Sequence, residues 1–210
     1  MPLINIIRER IRAIMRVIAR FLNKVTGGRL HPDSVTIVGF LMHIPIALLI
    51  AARHYNVLAA VLLLIFGLFD TLDGELARLQ GKASPSGMLL DASTDRMKET
   101  LLYVGIVYAL TLSQHPTTAV WAVAACGASL CVSYVKAKGE AAVASGKSIP
   151  HAVLNKLFKD GLLTFELRMF VLLVGLIFNQ LVLAVAVIAL LASYTAFQRL
   201  IRISKALSSV

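Results

Sequence analysis

In the stretch Asp70-Thr-Leu-Asp-Gly-Glu-Leu-Ala-Arg78, and again in Gly87-Met-Leu-Leu-Asp-Ala-Ser-Thr-Asp95, carboxylates interrupt long apolar runs. The four carboxylates are Asp70, Asp73, Asp91 and Asp95. An ionised carboxylate near the centre of a bilayer costs roughly 2.5–3.5 kcal/mol on insertion scales. Four such groups so close together in an apolar setting indicate bound metal ions and a charged substrate.

The rest of the chain has the composition of a helical membrane protein. Of its 210 residues 58% are hydrophobic, and the mean hydropathy of +0.80 is too high for an ordinary soluble domain. Apolar windows of about 20 residues, the length that crosses a bilayer core, recur along the chain. They predict an all-α integral membrane protein with six transmembrane helices, at residues 34–53, 57–80, 87–112, 117–139, 163–179 and 181–202.

An amphipathic segment precedes the first predicted span. Isoleucines recur there at helical spacing from Ile4 to Ile18, while four arginines take other faces: Arg8, Arg12, Arg16 and Arg20. A basic amphipathic helix of this kind lies in the headgroup plane of a membrane and attracts anionic lipid. We therefore divide the chain into an amphipathic juxtamembrane helix and turn, residues 1–30, and a six-helix domain, residues 31–210.

The net charge of +10 is unevenly distributed along the chain. Lysine and arginine collect before the first span, between the second and third, between the fourth and fifth, and after the sixth, whereas the opposite turns contain only Arg53. The positive-inside rule then places both termini, and the ends of the spans that carry the carboxylates, on the cytoplasmic side of the cell membrane. The basic excess belongs to the membrane surface, so no nucleic-acid partner is expected.

The spacing of the carboxylates predicts one shared site. A helix turns about 100° per residue, so Asp70 and Asp73 share a face, as do Asp91 and Asp95 on the next helix. Two antiparallel helices joined by a short segment bring these faces together. Four carboxylates form an all-oxygen site suited to two Mg²⁺ or Mn²⁺ ions. Two ions about 4 Å apart clamp the attacking and leaving oxygens of a phosphoryl transfer.

Two further classes of membrane protein carry carboxylates within their helices. A cation transporter places them at membrane depth, but it has no need of the neighbouring Gly74, Ala77 and Arg78. The first two of these leave room for a substrate at the backbone, and the third can pair with phosphate. An intramembrane prenyltransferase uses aspartate-rich helices with Mg²⁺, but in two motifs far apart in the chain. The pattern in this chain therefore favours phosphoryl transfer.

The motif Asp70-x-x-Asp-Gly-x-x-Ala-Arg, eight residues, Gly87-x-x-x-Asp-x-x-x-Asp95 resembles the full signature of the CDP-alcohol phosphatidyltransferase family. The resemblance implies a six-span membrane enzyme, often a homodimer, that uses two divalent ions, Mg²⁺ or also Mn²⁺. Such enzymes transfer a phosphatidyl group from CDP-diacylglycerol, or an ether analogue, to an alcohol and release CMP. The resemblance further implies that Asp70, Asp73, Asp91 and Asp95 ligate the metal and that Asp95 is also the general base.

The resemblance also implies which residues hold the CDP portion of the lipid donor. The stretch Pro32-Asp-Ser-Val-Thr36 is similar to the family's Thr-Pro-Asn/Asp-x-x-Thr segment, which borders the nucleotide, although His31 replaces the usual Thr. Together with positions in the signature and just after it, this gives the CDP-lipid-binding set Asp33, Ser34, Val35, Thr36, Gly74, Arg78 and Ser84.

A further stretch bears on the acceptor alcohol. Ser133-Tyr-Val-Lys-Ala-Lys-Gly-Glu140 resembles a segment of phosphatidylinositol phosphate synthases of actinobacterial type and of their archaeal relatives. Lys136, Arg168 and Arg199 match basic positions of those enzymes, and we expect them to bind the phosphate of inositol 1-phosphate. The segment that ends at Arg168 keeps only the last arginine of the relatives' Glu-Arg-x-Glu-Arg run. Glycerol 3-phosphate or another alcohol therefore stays an alternative acceptor.

Overall fold

The computed structural model describes residues 2–144 and 163–208, and within these ranges every regular element is a helix. The helices are α1 (Pro2–Val25), α2 (Pro32–Ala51), α3 (Asn56–Gly67), α4 (Phe69–Gln80), α5 (Pro85–Thr111), α6 (Ala119–Ala144), α7 (Phe165–Ile177) and α8 (Leu181–Ser208), with a short 3₁₀ helix at Pro116–Thr118. The predicted all-α class is confirmed. Three lysines of the predicted basic connection lie outside the described residues: Lys147, Lys156 and Lys159.

The chain forms two compact units, Met1–Leu102 and Tyr103–Val210. The first contains α1 to α4 and most of α5, and the second contains the end of α5 and the remaining helices. In the first unit α1 packs against α4, and α2 packs against both α3 and α4. The predicted division after residue 30 stays a prediction.

Helix α1 carries two apolar stripes rather than one. Met15 and Ala19 are buried in a cluster with Leu76 of α4, whereas Val17 and Phe21 point outward and are exposed. The helix ends at Val25, just before two glycines with positive φ angles, a conformation that glycine adopts without strain. The predicted amphipathic helix is therefore present, with one stripe in the protein core and a second stripe suited to a lipid surface.

The predicted second span consists of two helices. The chain between α3 and α4 departs from α-helical hydrogen bonding at Leu68, whose N–H donates to the Ile65 carbonyl three residues earlier. Helix α4 then ends at Gln80, and the following Gly81 has a φ of 65°. Because α4 starts its own first turn at this break, Asp70 lies near the beginning of a helix.

Four helical segments among the described residues are long and apolar enough to cross a membrane: Pro32–Ala51, Asn56–Gln80, Pro116–Ala142 and Leu181–Ser208. They mark a multi-pass membrane protein. Helix α5 has 27 residues but carries the charged cluster described below. Helix α7 has 13 residues and rises about 20 Å, less than the roughly 30 Å of a bilayer core. The count of six spans stays a prediction.

The second unit is built on close contact between helices with small side chains. Helix α6 packs along α8, and alanines are buried on both, among them Ala122 and Ala125 on α6 and Ala192 on α8. Helices α7 and α8 approach so closely that a Cβ added at Gly175 would lie 2.5 Å from the Cβ of Ala184. Small residues at such contacts let helix backbones pack tightly in a membrane.

Candidate active site

The candidate active site contains a cluster of carboxylates on α4 and α5. Asp70 lies in the first turn of α4, and Asp91 and Asp95 lie one turn apart on α5. One oxygen atom from each of these three side chains lies within 4.8 Å of the other two. Like charges this close repel one another strongly in partly buried surroundings, so a cation at this position would stabilise the arrangement.

A lysine supplies part of that positive charge. Lys98 is 2% exposed, and its Nζ contacts Oδ1 of Asp70 and, at 3.5 Å, Oδ1 of Asp95. The signature motifs did not point to Lys98 as a site residue. Its sequence signal is its position three residues after Asp95, which places it on the same face of α5.

The oxygen atoms of the cluster also fit a divalent metal ion. Oδ1 of Asp91 is buried and has no hydrogen-bond partner in the described part of the chain. A buried carboxylate oxygen is costly to leave without a partner, and a metal ion commonly fills that place. An all-oxygen set of this kind suits Mg²⁺ or Mn²⁺.

Asp73, the fourth predicted ligand, is not one of the three carboxylates within 4.8 Å of each other. It is buried on α4 and accepts a hydrogen bond of 2.5 Å from Oγ1 of Thr36 on α2. This bond connects two helices that carry predicted site residues. Metal ligation by Asp73 stays a prediction.

The first turns of α2 and α5 bring two predicted CDP-contacting residues together. A Cβ added at Gly87 would lie 3.3 Å from Oγ of Ser84 and 3.6 Å from Oδ1 of Asp33. Ser84 also accepts a hydrogen bond of 3.1 Å from the Gly87 N–H and so caps α5 ahead of Pro85. His31 caps α2 in a similar way, since its Nδ1 accepts from the Asp33 N–H at 3.3 Å.

The neighbouring predicted residues of α2 have different surroundings. Ser34 is exposed, whereas Val35 is buried in the apolar cluster that joins α1, α2 and α4. The side chain of Val35 is therefore used in the core, and only its backbone remains for contact with a nucleotide.

A buried glutamate holds the predicted phosphate-binding arginine of α4. Glu75 is 5% exposed, and its Oε1 accepts from Nη2 of Arg78 at 2.8 Å. Its Oε2 accepts from Nε of Arg16 on α1 at 3.3 Å. Gly74 lies beside the same guanidinium: a Cβ added at Gly74 would lie 3.5 Å from Nη2 of Arg78. The sequence signal for the Glu75–Arg78 pair is its spacing of three residues on one helix.

The predicted acceptor residues lie in the second unit, and two of them, Lys136 and Arg199, interact with Glu140. Arg168 and Arg199 are 1% and 6% exposed, and they lie near enough to interact electrostatically, as do Arg199 and Glu140. The more exposed Lys136 forms an ion pair of 3.7 Å with Glu140. Arg168 donates to the Leu163 carbonyl at 3.3 Å, and Arg199 lies 3.5 Å from the Val132 carbonyl. The Nε of Arg199 is buried and has no hydrogen-bond partner among the described residues.

Comparison with known proteins identifies the family. The model for CDP-alcohol phosphatidyltransferases matches residues 29–197. The chain belongs to the CDP-alcohol phosphatidyltransferase family. This confirms the assignment made from the signature, and it identifies the protein as a membrane-embedded phosphotransferase of phospholipid synthesis.

Two members of the family are similar to this chain over most of its length. The phosphatidylinositol phosphate synthase of Corynebacterium glutamicum is 33% identical over 206 residues, which cover 94% of this chain and 87% of that protein. The archaetidylinositol phosphate synthase of Pyrococcus horikoshii is 28% identical over 179 residues, 84% of this chain and 85% of that protein.

Solved structures match the fold of the phosphatidyltransferase. The phosphatidylinositol phosphate synthase of Mycobacterium tuberculosis with CDP-DAG bound has a TM-score of 0.76 at 25% identity, covering 91% of this chain and 94% of that chain. The same enzyme in complex with manganese and citrate has a TM-score of 0.73 at 25% identity, covering 90% and 88%.

Proposed function

We propose that this phosphatidyltransferase moves the phosphatidyl group of CDP-diacylglycerol to inositol 1-phosphate, producing phosphatidylinositol phosphate and CMP. The names of its relatives support this acceptor, and the bound CDP-DAG in one of them supports the donor. Within the chain, the observation that carries the proposal is that Arg168 and Arg199 are both buried and that the Nε of Arg199 has no hydrogen-bond partner among the described residues. Two buried guanidinium groups side by side repel each other, and an acceptor phosphate between them would relieve that repulsion.

The carboxylates Asp70, Asp73, Asp91 and Asp95 are proposed to hold two Mg²⁺ ions, with Mn²⁺ as a substitute. Three of the four side chains already converge, and the fourth, Asp73 on α4, accepts a hydrogen bond from Thr36 on α2. Ions held there would neutralise charge on the donor pyrophosphate and on the departing CMP. The manganese complex of a relative supports this assignment.

Asp95 is proposed to be the general base. It takes the proton of the acceptor hydroxyl while that oxygen bonds to the lipid-side phosphorus and the bond from this phosphorus to the CMP oxygen breaks. Lys98 at 3.5 Å and Arg96 at 3.8 Å flank the Asp95 carboxylate. The flanking Arg96 helps to hold its orientation, and no covalent intermediate on the protein is needed.

The donor headgroup is proposed to bind at the first turns of α2 and α5 and along α4, through Asp33, Ser34, Val35, Thr36, Gly74, Arg78 and Ser84. The proximity of Asp33 and Ser84 around Gly87 supports this placement. Gly87 leaves open the space where a side chain would crowd these two polar groups. More than half of the Arg78 side chain is exposed, so its guanidinium can contact a donor phosphate while it keeps its ion pair with Glu75.

The membrane arrangement is proposed to place both termini and the active site on the cytoplasmic side. The distribution of lysine and arginine supports this orientation. The outward apolar stripe of α1, which includes Val17 and Phe21, is suited to the lipid surface on that side. A homodimer is proposed from the family resemblance.

The proposal is tested by CMP release from the purified full chain in lipid nanodiscs with CDP-diacylglycerol and Mg²⁺. Inositol 1-phosphate, glycerol 3-phosphate, inositol and serine are compared as acceptors, and CDP-archaeol is compared as an ether donor because one relative is named for archaetidyl transfer. We expect release with inositol 1-phosphate, loss of release with a chelator, and recovery with Mg²⁺ or Mn²⁺. Release with glycerol 3-phosphate alone would retain the carboxylate site and refute the proposed acceptor.

A further inference from the structure

Lys98 is an unusual residue to find inside a metal-binding cluster. Lysine is almost never fully buried without a charged partner, and the Lys98 side chain is 3% exposed. Its ammonium contacts two of the three clustered carboxylates, those of Asp70 and Asp95. The third carboxylate, that of Asp91, has the buried oxygen without a hydrogen-bond partner among the described residues. The lysine therefore satisfies the cluster only in part.

We propose that Lys98 is a built-in counter-ion that occupies, between Asp70 and Asp95, the place of a divalent ion, and that a metal must displace it to bind. The inference rests on the carboxylate cluster being the metal site of the proposed function. It assigns Lys98 the role of setting metal affinity, and it makes Lys98 a positioning residue that holds the cluster together when no metal is bound.

Charge balance supports this role. The three clustered carboxylates carry three negative charges, and the Lys98 ammonium compensates one of them, so a divalent ion in its place compensates more of that charge. The neighbouring Arg96 compensates the cluster less than Lys98 does, because its guanidinium forms a closer ion pair, of 2.6 Å, with the buried Glu99 than with Asp95, at 3.8 Å. Without Lys98 the cluster would carry one more uncompensated negative charge in surroundings where water screens poorly.

A purely structural role for Lys98 predicts the opposite change in metal affinity when Lys98 is removed. If Lys98 only shaped the cluster, its removal would disorder the carboxylates and weaken metal binding. If it competes with the metal, its removal strengthens metal binding and destabilises the metal-free protein. The direction of the change in affinity therefore separates the two roles.

The test measures Mn²⁺ binding to the purified full chain by electron paramagnetic resonance of free Mn²⁺, and thermal unfolding with and without Mn²⁺. Lys98→Met removes the charge and Lys98→Gln removes it while keeping a polar group. We expect both to bind Mn²⁺ at least about tenfold more tightly than the native chain, to unfold at lower temperature without metal, and to gain more from Mn²⁺. Lys82→Met, the same change at an exposed position between α4 and α5, should match the native chain.

Unchanged or weaker Mn²⁺ binding by whichever variant folds would overturn the proposal. Failure of both variants to fold even in Mn²⁺ would overturn it as well, since a divalent ion would then not replace the lysine charge. The measurement needs no lipid donor or acceptor. A protein that releases no CMP would refute the proposed function, and the Mn²⁺ affinities would still decide the role of Lys98.

Discussion

Glu75→Gln tests whether the contact between α1 and α4 organises the donor site. The carboxylate has two acceptor oxygens, and each is engaged by a different arginine, Arg78 at 2.8 Å and Arg16 at 3.3 Å. Glutamine offers one acceptor oxygen and one NH₂ donor group. In the variant one of the two guanidinium groups therefore faces another donor and must move away.

The size of the effect follows from the exposure of the partners. The arginine side chains are 54% and 57% exposed, so each ion pair is worth only about 0.2–1 kcal/mol. Burial of the shared carboxylate places the loss near the upper end of that range. A loss of about 1 kcal/mol in the positioning of Arg78 corresponds to roughly a fivefold rise in the KM for the CDP-lipid donor. The acceptor KM and kcat should stay close to their native values, because Glu75 is a positioning residue.

The assay is steady-state CMP release in nanodiscs with each substrate varied in turn. Arg16→Gln, which leaves the Glu75–Arg78 pair in place, should raise the donor KM less than Glu75→Gln does. Arg12→Gln removes one positive charge from an exposed position of α1, as Arg16→Gln does, and should leave the donor KM unchanged. An unchanged donor KM in Glu75→Gln, or a rise confined to the acceptor KM, would refute the reasoning.

Three further predictions concern the base, the acceptor and the packing of the second unit. Asp95→Asn should lower kcat by about 10²–10⁴-fold and retain CDP-lipid binding measured by calorimetry; retained turnover would remove Asp95 as the base. Arg199→Gln should raise the acceptor KM at least about tenfold with little change in the donor KM. Arg202→Gln makes the same change at an exposed position and should leave both KM values unchanged. Equal effects of the two variants would argue against the proposed acceptor site. Gly175→Ala should cost about 1–3 kcal/mol of stability because its new Cβ would meet Ala184, seen as a lower unfolding temperature in detergent. Gly127→Ala is its matched control, since a Cβ there meets no described atom within 4 Å, and equal unfolding temperatures in both would contradict the packing argument.

The sequence alone determined the features that depend on short-range spacing. Two glycines follow the end of α1 at Val25, and Pro32 and Pro85 stand at the first positions of α2 and α5. The spacing of Asp91 and Asp95 predicted that they share a face of α5, and the structure places both with Asp70. These features follow from the repeat of the α-helix and from backbone preferences, which act within a few residues.

The tertiary structure decided what each charged group contacts. Lys98 reaches Asp70 from a different helix, Arg16 reaches Glu75 across 59 positions of sequence, and Thr36 of α2 donates a hydrogen bond to Asp73 of α4. Helical periodicity shows which side of a helix a residue occupies, but it contains no information on which helix packs there or at what distance. Those contacts depend on helix packing and side-chain rotamers, and at this site they determine how the negative charge is balanced.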